Sequence, residues 1–222
     1  MTKPAQPNFD RIAGIYRWGE YIALGPLLQR TRTRLLDQLG NPHRALVLGD
    51  GDGRFLEQLL LRYPQCNAVA VDISAAMLSK LRHRCLRSVP NAAARLTTLQ
   101  RSALEIDPSP APGLKPDLIV THFLLDCFTQ PEVDALTARI AAHLAPGALW
   151  LLSDFASPAN AILRPFARLY IASLYAAFRV LTGLRVNQLP DPQSALQRNG
   201  MRRISRVTLL GGLLYTELWR RE

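Results

Sequence analysis

The 222-residue chain predicts an α/β protein: a doubly wound parallel sheet with helices on both faces, closed by a strand that runs against the others. Three observations lead there. Short, continuous apolar runs alternate with amphipathic helical stretches through the middle of the chain, the rhythm of consecutive βαβ units. A glycine-rich turn, Gly49-Asp50-Gly51-Asp52-Gly53, joins the first apolar run to the first helix of that series. The last two strand-like runs flank Gly211-Gly212, a hairpin signal. Parallel neighbours need a long crossover, so a hairpin makes the sheet finish antiparallel.

The elements follow in order. Asn8 to about Leu39 reads as two helices broken near Gly25-Pro26, and Asn41-Pro42 ends the segment. Ala45 to Leu48 has the unbroken apolarity of a buried parallel strand. Arg54 to Tyr63 is helical, with Phe55, Leu56, Leu59, Leu60 and Tyr63 on one face. Ala68 to Val71 is the second strand, Ser74 to Leu86 the second helix and Arg95 to Gln100 the third strand. Residues 107–116 are proline-rich and form a surface loop. Asp117 to Thr121 is the fourth strand, Glu132 to Leu144 a helix, and Ala148 to Leu152 the fifth strand after Pro146-Gly147. Asn160 to Gly183 is helical. Residues 191–199 form a short helix ending at Gly200, and Arg202 to Leu209 pairs with Leu213 to Trp219. One domain is expected: 1–43 a helical cap, 44–156 the binding core, 157–190 a helical insertion, and 191–222 a helix with the hairpin.

Hydrophobic residues make up 48% and charged residues 20%, which excludes a disordered chain. The longest uncharged run, Ile140 to Ser153, is too short to span a bilayer. Met1 to Phe9 has one lysine and no apolar block, so no secretory leader is expected. Cys66, Cys85 and Cys127 form no C-x-x-C pair and no ligand spacing. That predicts no metal and a reducing, cytoplasmic setting, with contact at the inner membrane surface left open. The net charge is +10 from 27 basic and 17 acidic residues. Residues 1–44 carry +4, residues 45–159 carry −1 and residues 160–222 carry +7, and only three of the basic residues are lysines. Genomic arginine bias and a basic surface for an anionic partner account for this equally well.

Glycines between a strand and a helix let the backbone turn sharply and approach a ligand without a Cβ in the way. Asp72, at the end of the second strand, is placed to accept both ribose hydroxyls of an adenosine ligand; the alternative is a helix-capping aspartate. Asp50 and Asp52 would repel a pyrophosphate but tolerate a cationic nucleoside such as S-adenosylmethionine, unless both point to solvent.

These residues resemble the class I S-adenosylmethionine-dependent methyltransferases over nearly the whole chain. ALVLGDGDG resembles their first motif, VAVDIS with Met77-Leu78 the second, PDLIVTHFLLDCF the fourth-strand motif and LAPGALWLLSDF the fifth. The opening FDRIAGIYRW and the ending around LLGGLLYTELWRR are similar to the ubiquinone/menaquinone-biosynthesis C-methyltransferase group. The resemblance implies a Rossmann-like, seven-stranded sheet of order 3-2-1-4-5-7-6. It also implies S-adenosyl-L-methionine as cofactor and S-adenosyl-L-homocysteine as product. By the same resemblance Gly49, Asp50, Gly51 and Gly53 wrap the methionine part and Asp72 holds the ribose. Ile73 and Met77 sandwich the adenine, with Ser102, Ala103 and Leu104 at its edge. His122 and Phe123 border the transfer site, and Tyr16 closes over the cofactor. Two departures stand out: Val47 replaces a usual acidic residue, and so does Ser102.

Methyl transfer from a sulfonium needs alignment and exclusion of water, and a base only if the acceptor has a proton to lose. His122 and Asp126 are the candidates, on one face if the chain after Thr121 turns helical. In the 160–183 helix Phe166, Leu169, Tyr170, Leu174, Phe178 and Leu181 recur at helical spacing, with Arg164, Arg168 and Arg179 on other faces. Such a helix lines a pocket for a greasy acceptor, rests on anionic lipid, or packs in the core. The expected partner is a small, apolar acceptor (quinone-like, aromatic or lipid-like). Nucleic acid is not expected, and a homodimer is left open. The competing readings are an RNA-directed methyltransferase and a cofactor-binding protein without catalysis.

Overall fold

The computed structural model describes residues 25–107, 115–158, 160–161, 163–182 and 189–222. Helix α1 (Gly25–Thr33) tightens into a 3-10 turn at Leu36–Gln38. Strands and helices then alternate: β1 (Arg44–Leu48), α2 (Arg54–Arg62), β2 (Asn67–Asp72), α3 (Ala75–Ser88), the one-turn α4 (Ala92–Arg95) and β3 (Leu96–Gln100). β4 (Leu118–His122), α5 (Gln130–Ala141) and β5 (Leu149–Phe155) follow. α6 (Leu163–Thr182), α7 (Pro192–Arg198), β6 (Met201–Leu209) and β7 (Leu214–Arg221) complete the described chain. The expected helix before Gly25, Tyr16 and most of the 107–116 loop lie outside the described residues.

Most departures from the expected boundaries have a local cause. α5 starts two residues early because Thr129 and Glu132 form a capping box. β5 runs on to Phe155 because β7 pairs with it from Leu149↔Arg220 to Phe155↔Leu214. α4 was not expected; Asn91, left-handed at φ +57, turns the chain into it.

The sheet order is β3-β2-β1-β4-β5-β7-β6, as the resemblance implied. β1 to β5 are parallel, and β7 runs antiparallel to both β5 and β6. Period-two alternation sorts the core into two layers. Ala45 and Val47 face Phe55, Leu59 and Leu81 of α2 and α3. Leu46 and Leu48 face the other way, into a layer with Val133, Leu136 and Ile140 of α5 and the indoles of Trp150 and Trp219. Each buried valine, leucine, isoleucine or phenylalanine among them contributes about 1.5–3 kcal/mol by leaving water. β6 forms one margin of the sheet and carries Arg202, Arg203 and Arg206. Arg203 and Arg206 reach the buried Glu217 on β7 at 2.8 and 3.3 Å, and Trp219 Nε1 donates to its second oxygen at 3.0 Å. Pairing between β6 and β7 slips between Arg203 and Ser205.

Strand order reverses between β1 and β4, so their carboxyl ends diverge into a crevice. At the opposite end Asp117 accepts the backbone amides of His43 and Arg44, both at 2.9 Å, and ties the entry of β4 to that of β1.

Candidate functional site

A cavity of about 570 Å³ opens at that reversal point. Gly49, Asp50, Gly51, Met77, His122 and Phe123 line it together with Arg32, Asp52, Lys80 and Arg84. Gly51 is left-handed at φ +63, and a Cβ there would meet no atom within 4 Å, so it presents bare backbone toward open space. Gly53 serves packing instead. At φ +81, a Cβ would lie 2.7 Å from Leu81 Cγ and 2.9 Å from Leu81 Cα, so α2 and α3 approach here only over glycine. Gly53 also starts α2 without a capping side chain. Asp50 takes that role: its Oδ2 accepts the Leu56 amide at 2.9 Å.

The two turn carboxylates have different fates. Asp52 accepts from Arg54 Nε and Arg84 Nη2, each at 3.0 Å, so its charge is matched by two guanidiniums. Both carboxylates line the cavity, so the alternative that both simply face solvent is not met, but Asp52 is paired and Asp50 is not fully satisfied. Asp50 is buried, and among the described residues its Oδ1 has no hydrogen-bond partner. Burial raises its pKa to about 7 against the pull of Arg32; Asp52 and Asp72 add to the rise.

Asp72 ends β2 half-buried. Its Oδ1 accepts the Ser74 amide at 2.9 Å, and Ser74 caps α3 by accepting from Met77 at 3.2 Å. The helix-capping alternative is thus met by Ser74, with Asp72 bracing it. Ile73 follows at the same sheet edge, its carbonyl accepting from Gln100 Nε2 at 3.4 Å. Ser102 opens the 3-10 turn Ala103–Glu105, its Oγ accepting from the Leu104 amide at 3.3 Å. Ala103 is buried and Leu104 half-buried. Gly53, Asp72, Ile73, Ser102, Ala103 and Leu104 are not among the residues that line the cavity.

His122 is the last residue of β4 and is buried, its ring 4.4 Å edge-on from Phe55. Neither ring nitrogen has a partner among the described residues. Burial first, and Arg32 second, hold the imidazole well below its usual pKa, so it is neutral. Phe123 is left-handed at φ +52, and the next helical turn starts only at Leu125. That break overturns the shared helical face expected for His122 and Asp126. Asp126 is buried next to Asp154 of β5, its amide donating to Asp154 Oδ2 at 3.2 Å, and it does not line the cavity. Burial raises the pKa of both carboxyls, Asp126 to about 6.

Arg32 and Asp154 were missed as candidates. Arg32 is buried, lines the cavity and lies 5.3 Å over the Phe123 ring. Nothing in local spacing separates it from Arg30 or Arg34. Asp154 stood in the quoted fifth-strand motif, two residues beyond the expected end of β5. Tyr16, Leu174, Phe178, Arg179 and Leu181 lie outside the residues or side chains described. Among the described residues no cluster of ligating side chains is set to hold a metal.

Residues 46–150 match the family described as methyltransferase domain. Over 151 residues the chain is 28% identical to the trans-aconitate 2-methyltransferase of Methylobacterium nodulans, covering 64% of this chain and 53% of that protein. It therefore spans about half the length of that curated relative. An O-methyltransferase family protein from Burkholderia thailandensis superposes with a TM-score of 0.70 at 14% identity, covering 98% of this chain and 64% of that one. The N-methyltransferase NodS from Bradyrhizobium japonicum, solved with S-adenosyl-L-homocysteine, gives 0.61 at 16% identity, covering 88% of each chain. The resemblance to class I methyltransferases is borne out by these matches; the quinone-biosynthesis likeness stays looser.

Proposed function

We propose that this chain, whose residues 46–150 match a methyltransferase domain, transfers a methyl group from S-adenosyl-L-methionine to a small apolar acceptor and releases S-adenosyl-L-homocysteine. The observation that carries the reading is the pairing of bare Gly51 backbone with the partnerless buried oxygen of Asp50 at the sheet's reversal point. A cationic adenosyl ligand fits that combination, because it draws the buried Asp50 toward its charged form.

When bound, the donor supplies an electrophilic methyl on a positively charged leaving group. The protein's task is then to hold, orient and dry the reactants. The Gly49–Gly53 turn would hold the methionine end and Asp72 the ribose hydroxyls. Ile73 and Met77 would flank the adenine, and Ser102, Ala103 and Leu104 would lie at its edge, Ser102 as a weaker acceptor than a carboxylate. Of the two residues proposed for proton removal, His122 has the position and Asp126 the basicity. A neutral imbedded imidazole suits an acceptor that needs only a hydrogen bond at the cavity wall.

The acceptor is read from this chain, because the relatives are named for trans-aconitate, O- and N-methylation. The reading of an apolar acceptor rests on Phe123, which lines the cavity and is backed on its far side by an apolar cluster of Phe155, Tyr170, Ile171 and Leu189 that does not line it. Titration calorimetry with S-adenosylmethionine, then turnover with apolar acceptors, tests the reading. Binding with turnover is expected. Absence of binding at saturating donor overturns it, and binding without turnover favours the non-catalytic reading. RNA binding that weakens steeply with salt would favour the RNA-directed reading.

A further inference from the structure

Among the described side chains of α6, residues 164–173, two large apolar ones stand out to solvent. Phe166 is 70% exposed and Leu169 72%, the two most exposed large apolar side chains among the described residues. Ala172 and Ser173 continue the row one turn on, while Ala167 and Ile171 turn inward. The sequence spacing grouped Phe166 and Leu169 with Tyr170, but the structure separates them: Tyr170 joins the apolar cluster beside Phe123. Leu210, 44% exposed, stands at the tip of the β6–β7 turn. Pro158 links tip and helix, since a Cβ on Gly212 would lie 3.6 Å from Pro158 Cα and the Pro158 carbonyl accepts from Arg164 Nε at 3.3 Å.

Charge selects the occupant. From Phe155 to Pro190 the chain has four arginines (Arg164, Arg168, Arg179, Arg185) and no acidic residue. Arg164 and Arg168 are exposed in the same two turns but on other faces than Phe166 and Leu169, Arg164 held by the Pro158 carbonyl and Arg168 flanking Leu169. A second copy meeting this face symmetrically would set arginines against arginines. An anionic surface with a hydrocarbon interior answers both features: acyl chains take Phe166 and Leu169, Arg168 reaches up to the headgroups, and the acid-free positive segment is drawn to negative charge. No helix among the described residues is long and apolar enough to cross a membrane, so this is a lying contact.

We infer that α6 lies with its Phe166–Leu169 face on an anionic lipid bilayer. One consequence rests on the proposed function: Tyr170 and Phe123 then lead from the bilayer side to the cavity, a route for an acceptor dissolved in lipid.

The test is co-sedimentation of the full chain with vesicles of phosphatidylcholine alone and of equimolar phosphatidylcholine and phosphatidylglycerol, at low and high salt. Binding is expected only to the anionic vesicles, weakening with salt. The double variant Phe166→Glu, Leu169→Glu should lose at least about tenfold in partitioning, and Arg168→Gln about fivefold. Both sites are exposed, so thermal melts should match the parent chain. Equal binding to neutral vesicles, or none to either, overturns the inference. A parent chain that sediments as a dimer while the double variant is a monomer also overturns it, in favour of a self-interface. No step uses the methyl donor, so vesicle binding and donor binding stand or fall separately.

Discussion

The two ends of the β1–β4 pair use the same side chain in opposite ways. At the amino end Asp117 accepts two backbone amides at 2.9 Å each, in an exposed position. At the carboxyl end Asp50, Asp126 and Asp154 are buried with raised pKa, and one oxygen of Asp50 is without a partner among the described residues. A satisfied carboxylate stitches strands together. A buried carboxyl that lacks full satisfaction costs stability, and such a cost persists where a ligand supplies the missing interaction.

Four substitutions and one control probe this contrast, the largest effect first. Gly53→Ala combines a left-handed φ with a clash against the Leu81 backbone and should cost about 3 kcal/mol in urea unfolding. Gly40→Ala, also left-handed but with no atom within 4 Å, serves as its control at about 1 kcal/mol. Equal losses would show that close packing beneath the carboxyl edge is not what selects Gly53. On the proposed role of Asp72 at the ribose, Asp72→Ala should weaken S-adenosylmethionine binding about a hundredfold by calorimetry, the loss expected for two charge-assisted bonds. Unchanged affinity removes Asp72 from the site.

Asp50→Asn tests the carboxyl end through pH. The folded carboxyl keeps its proton up to about pH 7, whereas the ordinary one releases it near 3.8. Between those values the folded chain holds more protons, so stability is lost as pH rises and levels off above 7. Melting temperatures of Asp50→Asn should fall less across that window than those of the parent chain; parallel curves would mean that Asp50 ionises normally. Asp117→Asn, the smallest change, keeps one acceptor and should cost about 1 kcal/mol with donor affinity unaltered. A loss of donor binding there would erase the distinction between the two ends.

The half from β1 to β3 was legible because its signals are local. Gly49 to Gly53, the unbroken apolar strands and Asp72 lie close together in sequence, and the final diglycine announced the antiparallel strand. The other half depends on contacts between distant segments. Asp126 meets Asp154 only after β4 and β5 pair, and Phe123 adopts a left-handed turn that no spacing rule foresees. Arg32 gains its place over Phe123 from the packing of α1. In α6, periodicity identified a helix but not which apolar residues turn outward, because that depends on what the sheet presents to it.

The margin formed by β6 has a consequence for solubility. An outermost strand offers unpaired amides and carbonyls to any passing chain, a template for edge-to-edge aggregation. Here Arg203 and Arg206 are drawn over β7 to Glu217 and Arg202 pairs with Glu222, and the slip after Arg203 interrupts the flat run that a stacking partner would need. Anchored to Glu217 and Glu222, these side chains and the slip together leave a neighbouring chain a broken template rather than a continuous one.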